Sequence, residues 1–207
     1  MTAPLIAVLD YGIGNLRSAQ KAFERAGAHA HLTADRGLIA DADGVVLPGV
    51  GAFGRCMESL RDAGLEATVH DTIDGGRPFL GICVGMQMLF DGSDETRGVA
   101  GLGVVPGRVV RLPDTVKRPQ MQWNRVDVTR PSRLFDGLEP RPWMYFVHSF
   151  HPAPADPDVV VATCDYGGRV VAAVERDNLA AVQFHPEKSA RSGLALLANW
   201  ASALVRA

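Results

Sequence analysis

The sequence is short of net charge, of cysteine and of long apolar runs. Its 207 residues carry a formal net charge of -2, which gives no general attraction to nucleic acid or to an anionic membrane; a charged partner would have to be met by a local patch. The three cysteines, at positions 56, 83 and 164, are too few and too widely spaced for a disulfide framework or for the paired C-x-x-C spacing of a zinc site. Neither a metal nor a cofactor is expected. The opening "MTAPLIAVLD" lacks the basic start and long apolar segment of a secretory leader, and no apolar run is long enough to span a bilayer. The expectation is a soluble, cytoplasmic protein that binds no nucleic acid and no membrane.

What is present is ample apolar material, 47% of residues against 21% charged, enough for a sizeable core and too much for a disordered chain. One domain over residues 1–207 is expected. The first half alternates β-type runs with helical patterns: "LIAVLD", then Leu16, Ala19, Phe23 and Ala26 at helical spacing, then "AHAHLT", "GVVLPG", an amphipathic segment from about Gly54 to Ala67, and "PFLGIC". That alternation predicts an α/β fold with an open, mostly parallel central sheet flanked by helices. After about Gly101 the texture changes to strand-like segments broken by Pro and Gly: "GRVVRLP", "QMQWNRVDV", "WMYFVHSFHP", "VVVATCDYGG", "RVVAAVERDN" and "LAAVQFHP". These predict a mixed or antiparallel C-terminal extension. Leu194, Leu197, Trp200, Ala201 and Leu204 mark a final helix.

Sites in parallel sheets lie at the carboxyl ends of strands, and one such end reads "FLGICVGMQMLF". Cys83 stands between Gly81 and Gly85 with the G-x-Nuc-x-G spacing of a nucleophile elbow, a strained strand-to-helix turn that lifts a nucleophile clear of the sheet and tolerates only small neighbours. The alternative is a small buried hydrophobe, as most free cysteines are; Cys56 and Cys164, without glycine neighbours, are read that way.

A thiol nucleophile needs a base. Among the six histidines, His185 stands out in "QFHPEKS", where it ends an apolar strand and Glu187, two residues on, points the same way in extended chain. A carboxylate there would hold the imidazole's tautomer while His185 takes the thiol proton, the logic of a Cys-His-Glu triad; a solvated turn is the other reading. Acyl transfer also needs donors for an oxyanion. "LPGVGAF" at 47–53 offers backbone N–H groups around Gly49, Val50 and Gly51, to be joined by that of Val84 after the nucleophile; alone, it is a plain Pro-Gly turn.

Together "PGVGAF", "GICVGMQ" and "FHPEKS" resemble the class I, triad-type glutamine amidotransferases. The resemblance implies a flavodoxin-like fold in which Cys83 is the nucleophile, His185 the general base and acid, and Glu187 its orienter. "LDYGIGNLRS", "QMQWN" and "YFVHSF" extend it to the family of glutaminase subunits of imidazole glycerol phosphate synthase, nearly end to end. That likeness implies hydrolysis of L-glutamine through a Cys83 thioester. Gln87 and Glu95 would hold the substrate's amino-acid end, with Gly51, Ser149 and Phe150 completing the pocket. Gln87 follows Cys83 by one helical turn, which supports the placement independently.

The likeness also implies a heterodimer with a cyclase subunit, a (β/α)8 barrel that receives the ammonia to make imidazole glycerol phosphate and AICAR in histidine biosynthesis, with Asn15, Trp123 and Lys188 facing it. For Trp123, ordinary core is the competing reading. The family pattern reads roughly P-H-M-G-W-N where this chain has Pro119-Gln120-Met121-Gln122-Trp123-Asn124, so Gln120 and Gln122 depart from it. A basic run, Arg108, Arg111, Lys117, Arg118, Arg125, Arg130 and Arg133 against Asp114 and Asp127, is either a solvated face or a partner surface.

Other functions are weaker matches. "YGIGNLR" has the outline of G-x-G-x-x-G with Asp35 at a tempting distance, but Arg17 occupies the third glycine's place. A stand-alone cysteine hydrolase would not need Gln87 and Glu95. A binding module without catalysis would not need the triad. The glutaminase partner of pyridoxal phosphate synthase lacks the fit to "DYGIGN" and "QMQWN".

Overall fold

A computed structural model describes residues 2–204. The first half alternates as the periodicity predicts: β1 (Leu5–Leu9), α1 (Leu16–Arg25), β2 (His29–Thr33), α2 (Arg36–Asp41), β3 (Gly44–Gly49), α3 (Phe53–Asp62), α4 (Glu66–Asp74), β4 (Phe79–Cys83) and α5 (Val84–Met88). Then come β5 (Phe90–Ser93), β6 (Val105–Arg111), β7 (Gln120–Arg125), β8 (Asp127–Val128), β9 (Trp143–His148), β10 (Phe150–Pro154), β11 (Val160–Asp165), β12 (Arg169–Arg176), β13 (Leu179–Val182) and α6 (Ala190–Leu204).

Eight strands form the main sheet in the order β2-β1-β3-β4-β13-β12-β11-β8. From β2 to β13 every neighbour is parallel; from β13 to β8 every neighbour is antiparallel. The central strands β3, β4 and β13 are buried at every residue, which is why they read as continuous apolar runs rather than alternating ones. Helix α6 returns to the sheet, where Trp200 meets Phe23 of α1 with ring centroids 5.5 Å apart.

Three boundaries differ from the sequence pattern. The amphipathic segment from Gly54 is two helices, because Gly64 takes φ +67 and closes α3: Leu65 N–H reaches Leu60 O and Gly64 N–H reaches Arg61 O, the paired bonds of a Schellman stop. Asp35 is no ribose ligand but the N-cap of α2, its Oδ1 accepting from Leu38 N–H at 2.9 Å. The run "WMYFVHSFHP" breaks at Ser149 into strands of different sheets, β9 pairing with β7 in a two-stranded ribbon and β10 with β6 in a three-stranded sheet. Among the described residues no helix is long and apolar enough to cross a membrane.

Candidate active site

The parallel pairing of β4 with both β3 and β13 assembles the site. Gly49 is in register with Cys83, and Val182 with Ile82, so the Gly-rich loop, the cysteine and the segment carrying His185 leave the sheet side by side at its carboxyl edge. Cys83 adopts φ +56, the left-handed turn that the elbow spacing predicts. Its glycine neighbours have steric causes. A Cβ on Gly85 would lie 1.8 Å from Leu47 O, and one on Gly81 3.0–3.1 Å from Leu89, Gly85 and Met86 atoms.

Cys83, Val50, Gly51, Val84, Gln87, Glu95, Ser149, Phe150, His185, Asn15 and Lys188 all line one cavity of about 440 Å³. Gly14 lines it too, so the glycine loop that resembles a dinucleotide motif opens on the cysteine instead. Gly49 and Glu187 stand outside its walls, lining a small void with His185. Trp123 is apart, on the ribbon.

His185 is held from behind. Its Nδ1 lies 2.8 Å from Glu187 Oε1, with side-chain exposures of 2% and 1%, while Nε2 makes no hydrogen bond. Burial opposes the imidazolium, but the nearby Cys83 sulfur and the Glu187 carboxylate together outweigh it and raise the His185 pKa to about 10. The main chain adds two fixings: His185 N–H donates to Tyr145 O at 2.9 Å, and Ser189 Oγ donates to His185 O at 2.6 Å.

The Gly-rich loop is held at alternate carbonyls. Tyr11 Oη donates to Pro48 O at 2.6 Å, and Cys56 Sγ donates to Val50 O at 3.3 Å. Burial pushes the Cys56 thiol up to about 11 and the Cys164 thiol up to about 12, so both remain neutral, the structural role expected of them. Val84 opens α5, leaving its N–H without a partner inside the helix. Glu95 Oε2 accepts from Phe53 N–H at 2.7 Å, fixing this cavity carboxylate against the start of α3.

Two residues of the site had only partial sequence signals. Gln183, within "QFHPEKS", is fully buried; its Nε2 lies 3.7 Å from Cys83 Sγ and its Oε1 accepts from Gln87 Nε2 at 3.0 Å. An amide at the end of a core strand was the available clue. His148, in the cavity wall, places Nδ1 2.9 Å from Phe150 O and Nε2 2.8 Å from the Gln120 amide. A carbonyl only accepts, so the proton sits on Nδ1, and Nε2 needs a donor. Turning the Gln120 amide so that its NH2 faces the ring supplies that donor and also satisfies the nitrogen otherwise left bare in the core. Burial lowers the His148 pKa to about 4, so the ring is neutral. Gln120 is thus a buried partner for His148, whereas Gln122 is exposed.

On the ribbon, alternation sends Met121, Trp123 and Trp143 outward, 63%, 44% and 43% exposed. Trp123 packs edge-on to Tyr145 at 6.0 Å, and Arg125 covers Trp143 at 5.0 Å. Trp123 is therefore surface, not core. Three of the seven residues in the basic run form local pairs, Arg108 with Asp94 at 3.2 Å, Arg118 with Asp114, and Arg130 with Asp158 at 3.6 Å. No cluster of three or more metal-ligating side chains occurs among the described residues.

A family model of the class I glutamine amidotransferases matches residues 7–203. The imidazole glycerol phosphate synthase subunit HisH of Syntrophotalea carbinolica is 48% identical over 203 residues, covering 95% of this chain and 98% of that one. The subunit of the same name from Rhodopirellula baltica is 50% identical over 203 residues, covering 97% and 98%. The PurLQS structure of Thermotoga maritima shares the fold, with a TM-score of 0.78 at 19% identity over 98% of this chain and 99% of that one. By these matches the chain belongs to the class I glutamine amidotransferase family, in the branch of imidazole glycerol phosphate synthase HisH subunits.

Proposed function

We propose that the whole chain works as one glutaminase domain, hydrolysing L-glutamine to glutamate and ammonia and passing the ammonia to a cyclase subunit that makes imidazole glycerol phosphate and AICAR in histidine biosynthesis. The observation that carries this reading is the meeting of Cys83 with the buried His185–Glu187 pair at the ends of β4 and β13. The raised pKa of His185 favours a resting imidazolium, and a neighbouring positive charge is the setting in which a cysteine serves as a nucleophile.

In the reaction, the Cys83 sulfur attacks the carboxamide carbon and the carbonyl electron pair moves to oxygen, where N–H groups of the 49–51 loop and Val84 receive it. Collapse of that intermediate breaks the C–N bond, and His185 protonates the departing nitrogen to give ammonia. Water then adds to the thioester as His185 takes its proton; the C–S bond breaks, glutamate leaves and the thiolate returns. Gln87 and Glu95, with Ser149 and Phe150, hold the amino-acid end of the substrate.

Ammonia released to water becomes mostly ammonium, a poor nucleophile, so direct delivery is needed. The ribbon offers a docking face: Trp123, Met121 and Trp143 lie on one side with Val147, and Val147 also lines the catalytic cavity. Asn15 and Lys188 line the same cavity. A (β/α)8 cyclase barrel seated on this face would receive ammonia from it.

The test is glutamate release by the chain alone and with the cyclase subunit and its ribonucleotide ligand, with Cys83→Ala as blank. Strong stimulation that vanishes in the variant is the expected result. High activity without a partner points to a free-standing hydrolase, and no activity with that cyclase removes the pairing.

A further inference from the structure

The hydrogen bonds around Cys83 lead to a side chain outside the triad. Gln183 follows β13 and precedes His185 by two residues, and its side chain is fully buried. Its main-chain N–H donates to Ala172 O of β12 at 2.9 Å, fixing where the side chain starts. A carboxamide shut away from water is costly unless both its ends are bonded. Here the oxygen accepts from Gln87 and the nitrogen faces sulfur.

The sense of each bond follows from one backbone atom. Phe150 O accepts from Gln87 Nε2 at 2.9 Å, and because a carbonyl has no hydrogen to give, Gln87 must present its NH2 there. The second hydrogen of that NH2 points at Gln183, 3.0 Å away. Gln183 must then turn its oxygen to Gln87, which leaves its own NH2 facing Cys83 Sγ. A donor so placed is weak toward a thiol and stronger toward a thiolate, since hydrogen bonds strengthen when the acceptor is charged.

We propose that Gln183 is a positioning residue for Cys83: its N–H holds the sulfur and favours its anionic form, and Gln87 holds that N–H in place. This rests on the reading of Cys83 as the nucleophile. Gln183 touches no substrate; it acts through the sulfur. Its effect comes twice in each turnover, first on the thiolate that forms the C–S bond, then on the thiolate released when that bond breaks and its electron pair returns to sulfur. Because Gln87 lines the cavity, the wall for the amino-acid end of glutamine and the donor to the nucleophile form one bonded unit.

Alkylation of Cys83 by iodoacetamide in the full-length chain, resolved by peptide mass spectrometry across the pH range, reads the sulfur without substrate or partner. Gln183→Met keeps the length and removes the N–H; the rate at neutral pH should fall about tenfold, and its rise should shift to higher pH. Gln183→Glu keeps an acceptor for Gln87 but offers the sulfur no donor, so its fall should be at least as large. Thermal melts establish that each variant is folded, and whichever folds reads the test. Profiles of the folded variants that superimpose on wild type overturn the proposal, as does a return to wild-type rates in Gln183→Glu. If Cys83 in the unmutated chain reacts no faster than Cys56 and Cys164, the reading of Cys83 as nucleophile is what fails, so the two failures appear in different proteins.

Discussion

His185 and Glu187 meet through their side chains although one residue, Pro186, separates them: Nδ1 lies 2.8 Å from Oε1, and both groups are shut from solvent. The carboxylate holds a proton on Nδ1 whether or not Nε2 carries one, and leaves Nε2 to the cavity. Replacing it by a neutral amide, in Glu187→Gln, keeps the shape but removes the charge and allows the opposite tautomer. The expected outcome is a fall in glutaminase kcat of about a thousandfold with little change in KM, measured in the complex. An unchanged kcat would remove Glu187 from the machinery.

The same pair makes stability depend on pH. Despite burial, Cys83 and Glu187 raise the His185 pKa to about 10, against about 6.5 for a free histidine. The stability gained by protonating this ring in the fold is complete below about pH 6.5 and is lost as pH rises through about 10. Urea unfolding should therefore show stability declining across that window, and more gently in His185→Gln. Parallel curves for the two proteins would remove the linkage.

At Gly85 the fold has no room for a methyl group, because a Cβ would sit 1.8 Å from Leu47 O, a main-chain atom. Gly85→Ala should cost about 3 kcal/mol or more, or prevent folding. Gly98 is the reverse case, with a positive φ of +83 and nothing within 4 Å of an added Cβ, so Gly98→Ala should cost only about 1–2 kcal/mol, the backbone strain alone. Comparable melting temperatures for the two would contradict the steric account.

Gln120 and His148 share one buried hydrogen bond. Gln120→Leu leaves the ring nitrogen without a partner and should destabilise the chain by about 1–3 kcal/mol. Adding His148→Leu should cost less than the sum of the single changes, because the second removes a group already stranded. Strict additivity in chemical denaturation would show that the two side chains are not coupled.

The half-exposed ring of Trp123 contributes little to the core, so Trp123→Ala should leave the melting temperature nearly unchanged while weakening binding to the cyclase subunit by about thirtyfold. Trp143→Ala, on the same face, should act in the same direction. Calorimetric titration with the cyclase checks both; unchanged affinities would move the docking face elsewhere.

The parts of this molecule that were legible in sequence are those with local causes. The apolar runs of β3 and β4 announced buried parallel strands; the spacing of Gly85 announced the elbow although Leu47 of β3 is what crowds it, and Gly81 announced it because its steric need lies within a few residues. "HPE" announced the His185–Glu187 contact for the same reason. What stayed hidden depends on pairing across the chain. No local pattern shows that β13, reached through an antiparallel stretch, lies parallel to β4. No pattern says that Gln183 finds Cys83 and Gln87, or that Gln120 finds His148, since an isolated glutamine reads as polar surface. Trp123 was ambiguous because an aromatic ring suits interior and interface alike; the exposure of its ring decides it. The run of arginines allowed a solvated face or a partner surface, and the fold pairs three of its members with separate carboxylates.

The place of β13 beside β4 also bears on how the chain is made. Synthesis delivers the N-terminal part first, and folding can begin there. The Gly-rich loop and Cys83 therefore leave the ribosome well before His185 and Glu187, and β13 takes its place beside β4 only once the intervening strands have been made. A nascent or truncated chain that has folded its first strands carries a thiol with no base beside it. The catalytic cavity is thus assembled only by the pairing of β4 with β13, two strands about a hundred residues apart in the chain.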